Sequence, residues 1–432
     1  MSPVAVGGAD GSPTSPYALI HVVFQEMTKD LIGSQVVDHM AVQQITGGPG
    51  RPTSVGICFL ESGRDAFSSR VKGRLRTLQA RAPLVWMRVF PVIGRLSLRT
   101  NARLLGRGLR RLVGDIPVVF HCRTESAAEW SIEIAKAFPR SGIVSDIRGA
   151  WPLELLYARG YDGTEGADNS SLRSFHSAMA RMHRALEHSG SVISVSRGML
   201  DWLASIGVDR KRMTYVPCCV TGLTYSSASR VTARARLGLD DRLVFAYLGT
   251  MVRYQHIDDG VAPFFRAILK ACPAAHLLCL TDEPERMRQA ILATGIDPSA
   301  VTALNAPQHE VPAYLAAADC GLILRAPAPI NRLWQPTKLG EYLACGLPIV
   351  VTEGTGVVGE LVSGAGAGTS VRIFGVDGDQ LAREAERVCR MLAQRGEEMR
   401  AAALALCERH FLWSGYVMPV RDAYESALRW GG

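Results

Sequence analysis

PTKLGEYLACGLPIVVTEGTGVVGELV, from Pro336 to Val362, holds a charge pair, a helix, a strand and a glycine-rich turn within twenty-seven residues. Pro336 suits the first turn of a helix, where its missing N–H costs nothing, and Lys338, Glu341 and Tyr342 follow on that helix. A spacing of three puts the Lys338 ammonium and the Glu341 carboxylate on one face, close enough to share a ligand. Gly346 and Pro348 stop the helix, and Pro-Ile-Val-Val-Thr reads as a short buried strand. Gly354-Thr-Gly356 then turns the chain into a helix that opens at Val357. Such a turn presents bare backbone N–H groups at the positive end of a helix dipole, an arrangement that suits phosphate. An ordinary αβα unit with a surface Lys–Glu pair is the alternative reading.

Outward from this stretch the chain reads as two α/β halves. Its 432 residues suit two or three domains, with a normal globular share of 47% hydrophobic and 20% charged residues. No apolar run reaches the roughly 18–20 residues that span a bilayer. The start, MSPVAVGGADGSPTSPY, reads as a loose tail without signal-peptide features. Ten cysteines with no C-x-x-C pair suit a reducing cytoplasm better than a disulfide framework or a zinc site.

The first half begins with a strand from Tyr17, a helix from Gly33 to Ile45 and a second strand within Arg51 to Glu61. Gly33 and Ser34 would make a tight turn beside a cleft. No G-x-G-x-x-G fingerprint accompanies this βαβ, so no NAD is expected. Pro117 to Arg123 is another strand, which puts His121 and Arg123 near a crevice. Gly142 to Glu154 repeats the pattern, with Asp146, Arg148, Gly149, Trp151 and Glu154 at and beyond the strand end. These are candidates for the rim of an active site, and an internal Asp146–Arg148 salt bridge is the competing reading. Helices are expected over Leu172 to Glu187 and Gly198 to Ile206, and strands at Ser191 and Arg212.

The second half begins at Leu243-Val-Phe-Ala-Tyr-Leu-Gly-Thr. Gly249 and Thr250 stand at its first strand-to-helix turn, and Arg253 and Tyr254 follow. Further strands are expected over Ala274 to Thr281, from Val301, after Asp319 and over Ser370 to Phe374, with a helix over Asp379 to Leu392 and another over Tyr416 to Leu428.

The net charge of +8 is concentrated. Between Arg70 and Gly114 lie twelve Lys or Arg and no Asp or Glu. Leu96, Leu98, Leu104, Leu105, Leu109 and Leu112 alternate with arginines there, as in an amphipathic helix with a basic face. Each basic residue near an anionic leaflet adds about 1 kcal/mol, so the segment could hold the chain on an anionic membrane surface; a solvated helix face is the plainer reading. Nucleic acid is not expected, because aromatic residues are not interleaved with the basic ones and no recognition motif is present.

PTKLGEYLACGLPIV with its glycine turn resembles the donor motif of the family 4 retaining glycosyltransferases of the GT-B fold. AADCGLILR before it, D-x-R-G-x-W-P-x-E, VPCCV and the ending His410-Phe-Leu-Trp-Ser are similar to that family too. The resemblance implies an α/β, GT-B architecture of two doubly wound Rossmann-like domains facing a cleft. Its divisions would be a tail over 1–16, an acceptor-side domain over 17–222, a nucleotide-sugar domain over 223–405 and a segment over 406–432 that crosses back to the first domain. It implies transfer of a sugar from a nucleotide-sugar donor to an acceptor, with retention; the basic, apolar-edged first half suits a glycan or lipid-linked glycan acceptor at a membrane surface, as in cell-surface polysaccharide assembly. Glu341 would bind the ribose, Lys338 the diphosphate, and Gly356 and Val357 the phosphates or sugar. Lys338, Arg253, Asp146 and Arg148 would serve catalysis, with Gly249 and Thr250 at the donor and His121, Glu154, Gly33 and Ser34 toward the acceptor. No cofactor is implied, and no acidic site points to a metal, so metal independence is expected. The location implied is cytoplasmic, on the inner face of the membrane.

One position departs from the pattern: Leu333 stands where the family usually has a glutamate, eight positions before Glu341. Neighbouring Asn331 or Arg332 could serve instead. The departure keeps open a non-catalytic GT-B subunit that binds a nucleotide sugar or a partner enzyme. A sugar-nucleotide epimerase is a further alternative, supported by His121 and Asp146.

Overall fold

The computed structural model describes residues 16–27 and 31–430, without the side chain of Arg253. The tail expected over 1–16 therefore lies almost wholly outside the described residues.

Seven strands form a first parallel sheet: β1 (Ala18–Phe24), β2 (Ser54–Ser62), β3 (Trp86–Val92), β4 (Val118–Arg123), β5 (Ser141–Ile147), β6 (Ser191–Ser194) and β7 (Met213–Tyr215). Their order is β3-β2-β1-β4-β5-β6-β7. Six more form a second: β8 (Leu243–Leu248), β9 (Ala275–Leu280), β10 (Val301–Leu304), β11 (Cys320–Ile323), β12 (Ile349–Thr352) and β13 (Gly368–Val371), ordered β10-β9-β8-β11-β12-β13. Every named strand pair is parallel. Parallel strands are joined by helices that cover both faces, which is why β1, β4, β8 and β12 are apolar runs rather than alternating ones. In each sheet the strand order reverses beside the first strand, and the crevice at the carboxyl ends there is where doubly wound sheets take ligands.

The expected helices form, with some boundaries moved. Asp168 caps Asn169–Glu187, accepting from the N–H groups of Ser170 and Ser171, so this helix begins three residues before Leu172. The helix expected over Asp379 to Leu392 runs instead from Gly378 to His410, capped by Asp377. It passes through Gly396 because Met399, Ala403, Leu406 and Cys407 keep its inner face buried. The division placed at residues 405 and 406 consequently falls inside a helix.

The chain then crosses back. Trp413, Val420, Tyr424 and Ala427 join the core of the first domain, and Arg421, 1% exposed, donates to the carbonyl oxygens of Gln43, Thr46, Gly47 and Pro49. Helix Val417–Trp430 lies so close to β5 that a Cβ on Gly142 would come within 2.5 Å of the Ala427 backbone.

In the basic segment, helix Leu98–Val113 buries Ala102, Leu105, Gly106 and Leu109. Leu104 and Leu112 face outward, 51% and 47% exposed, beside the exposed Arg103, Arg107 and Arg111. The leucines that alternate with arginine thus divide between core and surface.

The close approach at Gly142 makes a test of the crossing. Gly142→Val should destabilise the fold by about 1–3 kcal/mol in urea unfolding, the usual cost of overpacking, whereas Gly163→Ala, with open space around it, should change little. Equal stability of the two variants would show that the helix does not sit there.

Candidate functional site

The cleft wall of the second domain carries two buried cations. Arg325 follows β11, its backbone held by Thr352, whose Oγ accepts from the Arg325 N–H and donates to its carbonyl. Its guanidinium lies 4.7 Å from the centre of the Trp334 ring and 5.4 Å from that of Tyr254. Nε and Nη1 have no hydrogen-bond partner. Lys338, in the first turn of helix Thr337–Ala344, donates from Nζ to Gln255 Oε1 at 3.0 Å and lies 4.4 Å over the Tyr247 ring. Burial, and then the charge of Arg325, push its ammonium well below the usual lysine range. Neither cation forms an ion pair among the described residues. A buried positive charge without a counter-charge is costly, and an anion between the two would relieve it.

Glu341 lies one turn further along, half-buried, with its carboxyl pushed up to about 7 by burial against the opposing pull of Lys338. The glycine turn stands nearby in the chain. Gly356, at φ +66°, allows the tight entry into helix Val357–Gly364, whose first turn no side chain caps. The N–H groups after Gly356, at Val357 and Val358, are therefore open to an anion.

Gly249 has a different part from the one expected. Its N–H donates to the Leu280 carbonyl and so belongs to the sheet. A Cβ there would come within 3.1 Å of Lys338 Nζ, so this glycine makes room for the lysine. Thr250 is exposed, and its carbonyl accepts from the Tyr247 hydroxyl. The side chain of Arg253 lies outside the described residues.

Across the cleft, the Asp146 and Arg148 candidates form the internal salt bridge that competed with a rim assignment. Asp146 is fully buried, 2.6 Å from Arg148 Nε and 3.2 Å from His121 Nε2. Burial alone would raise its pKa, but Arg148, His121 and Arg123 overcome that and hold the carboxyl below the usual range. Arg148 also reaches the carbonyls of Val216 and Pro217. His121 is not at the crevice: its side chain is fully buried beneath the crossing helix, with Nδ1 3.0 Å from the Tyr424 hydroxyl. These three hold β4, β5 and the returning helix together.

His21, His39 and His121 bring ring nitrogens within 4.8 Å of one another. They fit a cation poorly. His121 Nδ1 lies 3.0 Å from the Tyr424 hydroxyl and Nε2 3.2 Å from Asp146, His21 stacks on its ring at 4.4 Å, and the guanidinium charges of Arg123 and Arg148 lie close. Burial, with the neighbouring His121, lowers the pKa of His21 and His39 well below the usual value and keeps them neutral.

The remaining candidates bridge the domains. Ser34 Oγ accepts from Gln308 Nε2 at 2.8 Å, beside Gly33, and Glu154 accepts from Trp334 Nε1 at 3.1 Å. Leu333, in the position that departs from the pattern, packs with Ile147, Met199 and Leu203 of the first domain, and its carbonyl accepts from Ser196 Oγ at 2.6 Å. Asn331 is buried, with Nδ2 on the Ala326 carbonyl and Oδ1 without a partner. Sequence reasoning missed Arg325, Gln255 and Trp334. The sign of Arg325 was a charged residue ending the apolar run of β11, the feature that singles out Arg123 after β4.

Residues 242–394 match the family model described as Glycosyl transferases group 1. No curated protein matches the chain. Among solved structures, Anabaena HepE in complex with UDP and glucose is similar at 15% identity and TM-score 0.66, over 95% of this chain and 99% of that one. Sucrose-phosphate synthase from Thermosynechococcus elongatus is 16% identical with a TM-score of 0.64, over 95% and 98%. The lipopolysaccharide outer core galactosyltransferase WaaB is 12% identical with a TM-score of 0.58, over 94% and 98%. The chain has the GT-B fold of these proteins, and its second domain carries the match to the group 1 glycosyl transferases.

Proposed function

We propose that the chain transfers a sugar from a nucleotide-sugar donor to a glycan or lipid-linked glycan acceptor, with retention of anomeric configuration, in cell-surface polysaccharide assembly. The observation that carries this reading is the pair of buried cations, Arg325 and Lys338, in a domain that matches the group 1 glycosyl transferases. A sugar nucleotide already has its leaving group, so the enzyme must stabilise the charge that gathers on the diphosphate as the glycosidic bond breaks. Arg325, Lys338 and the N–H groups after Gly356 supply that stabilisation, and Glu341 accepts the ribose hydroxyls. Arg253 assists from the loop after β8. Neutralisation by these groups makes a metal unnecessary. Asn331, with its unpartnered Oδ1, takes the part that a glutamate at Leu333 would have had toward the donor sugar. The acceptor attacks from the side of the departing diphosphate, and the bridging contacts of Trp334 and Gln308 keep water from hydrolysing the donor. The HepE structure with UDP and glucose supports a donor of this class.

We place the chain on the cytoplasmic face of a membrane, held through the segment Arg70 to Gly114. Among the described residues no helix is long and apolar enough to cross a bilayer. The outward Leu104 and Leu112 with Arg103, Arg107 and Arg111 suit a peripheral contact.

Calorimetric titration with UDP, GDP, ADP and TDP should find one base that binds. Lys338→Met and Arg325→Gln should each weaken it about 10–100-fold, the worth of a charge-assisted hydrogen bond. With the matching sugar nucleotide and an acceptor extract, NMR of the product should show the donor's anomeric configuration. An inverted product would contradict retention, and binding without turnover would favour the non-catalytic subunit. For the membrane, sedimentation with phosphatidylglycerol vesicles should carry the protein down at low salt, and neutral vesicles should not. Changing Arg103, Arg107 and Arg111 to Glu should abolish the effect; equal sedimentation of this variant would rule the helix out.

A further inference from the structure

A buried guanidinium stands on the other side of the cleft. Arg123 ends β4, is 8% exposed, and pairs in register with Asp146 on β5. Asp146 is engaged by Arg148 and His121, and the side chain of Arg123 makes no hydrogen bond or ion pair among the described residues. Its buried Nη1 has no partner, and neither does Nη2 of Arg148. Two guanidinium groups therefore share one carboxylate, with Glu26 a weaker acidic neighbour of Arg123.

The backbone beside Arg123 is strained. Thr124 has φ +82° and ψ 155°, a conformation hostile to a β-branched side chain. Such strain persists only where the surroundings enforce it, and it concentrates at functional sites. Here it turns the chain from Arg123 directly into helix Glu125–Ala135, for which Thr124 Oγ1 accepts the N–H of Ala127. Both arginines also neighbour Cys218, whose N–H donates to Gln335 Oε1 of the second domain. The orphaned donors thus neighbour a residue, Cys218, at which the two domains meet.

We propose that Arg123, with Arg148, binds an anionic group of the acceptor, a phosphate or a uronate carboxylate, in a site separate from the donor diphosphate site. This rests on the transferase reading. A neutral acceptor would leave the two guanidinium groups with the single carboxylate of Asp146 between them, whereas a phosphate or carboxylate accepts from two donors at once.

The test is calorimetric titration of the full chain, first saturated with UDP, with inorganic phosphate in one arm and glucuronate in the other. One of the two should bind with unit stoichiometry and identify the anion. Arg123→Gln should weaken it about tenfold or more and Arg123→Lys less, both keeping their UDP affinity, whereas Arg325→Gln should lose UDP. Thermal melting of each variant shows whether it is folded, and the charge-conserving lysine keeps the test readable if the glutamine variant is not. Three results would overturn the proposal: no binding of either anion to the wild type, binding unchanged in Arg123→Gln, which means an adventitious ion only, or loss of UDP by folded Arg123→Gln, which puts Arg123 in the donor site. Failure of UDP to bind the wild type would instead count against the transferase reading, and the anion arms, run without nucleotide, still report on Arg123.

Discussion

Positive charge held out of water without an ion pair is the condition that the cleft is built around. Arg325 and Lys338 are both buried, and their direct partners are aromatic or neutral: Trp334, Tyr254, Tyr247 and Gln255, with the Glu341 carboxyl one turn from Lys338. Aromatic faces partly offset the lost hydration of a cation, yet they do not neutralise it. Each cation comes from a point where the fold has little freedom. Arg325 hangs from a strand end fastened on both sides by Thr352, and Lys338 from the first turn of a helix packed under the sheet. A fold that keeps two such cations close, one depressing the pKa of the other, does so at a cost in stability.

The same parts connect that site to the rest of the molecule. Trp334 stacks on Arg325 and donates to Glu154 of the first domain, while Leu333 beside it enters the apolar cluster of Met199 and Leu203. Gln335 then takes the Cys218 N–H. Three consecutive residues thus tie the second domain to the first. The departure at Leu333 has a physical consequence: an apolar side chain can enter that cluster, whereas a glutamate there would bury a charge. The returning C-terminal segment sets Tyr424 on His121 and Trp413 on His39, so it supports the first sheet.

Much of this architecture is legible in the sequence, because buried parallel strands are uninterrupted apolar runs and helix starts carry Ser or Asp caps. Strand β3 was not foreseen. It is an edge strand, with Arg88 and Pro91 breaking its apolar character, as edges allow. The length of helix Gly378–His410 was hidden by Gly396 and the charged stretch around it. Lys338, Glu341 and Gly356 are recognisable because their chemistry is local to one β-turn-α unit. The roles of Asp146, Arg148 and His121 are not, since a strand end carrying charge looks the same whether it opens to a cleft or closes on its neighbours. Register decides that, and register depends on pairing with β1 and on a helix nearly 300 residues later in the chain. Arg325 escaped notice for the same reason: its partners Trp334 and Tyr254 come from two other loops.

The measurement that bears most directly on the account is a crystal structure of the chain with its nucleotide sugar. The diphosphate should lie between Arg325 and Lys338, within hydrogen-bond distance of both and of the N–H groups after Gly356, with the ribose on Glu341. A nucleotide bound elsewhere, with Arg325 still stacked on Trp334 and Lys338 still on Gln255, would contradict it.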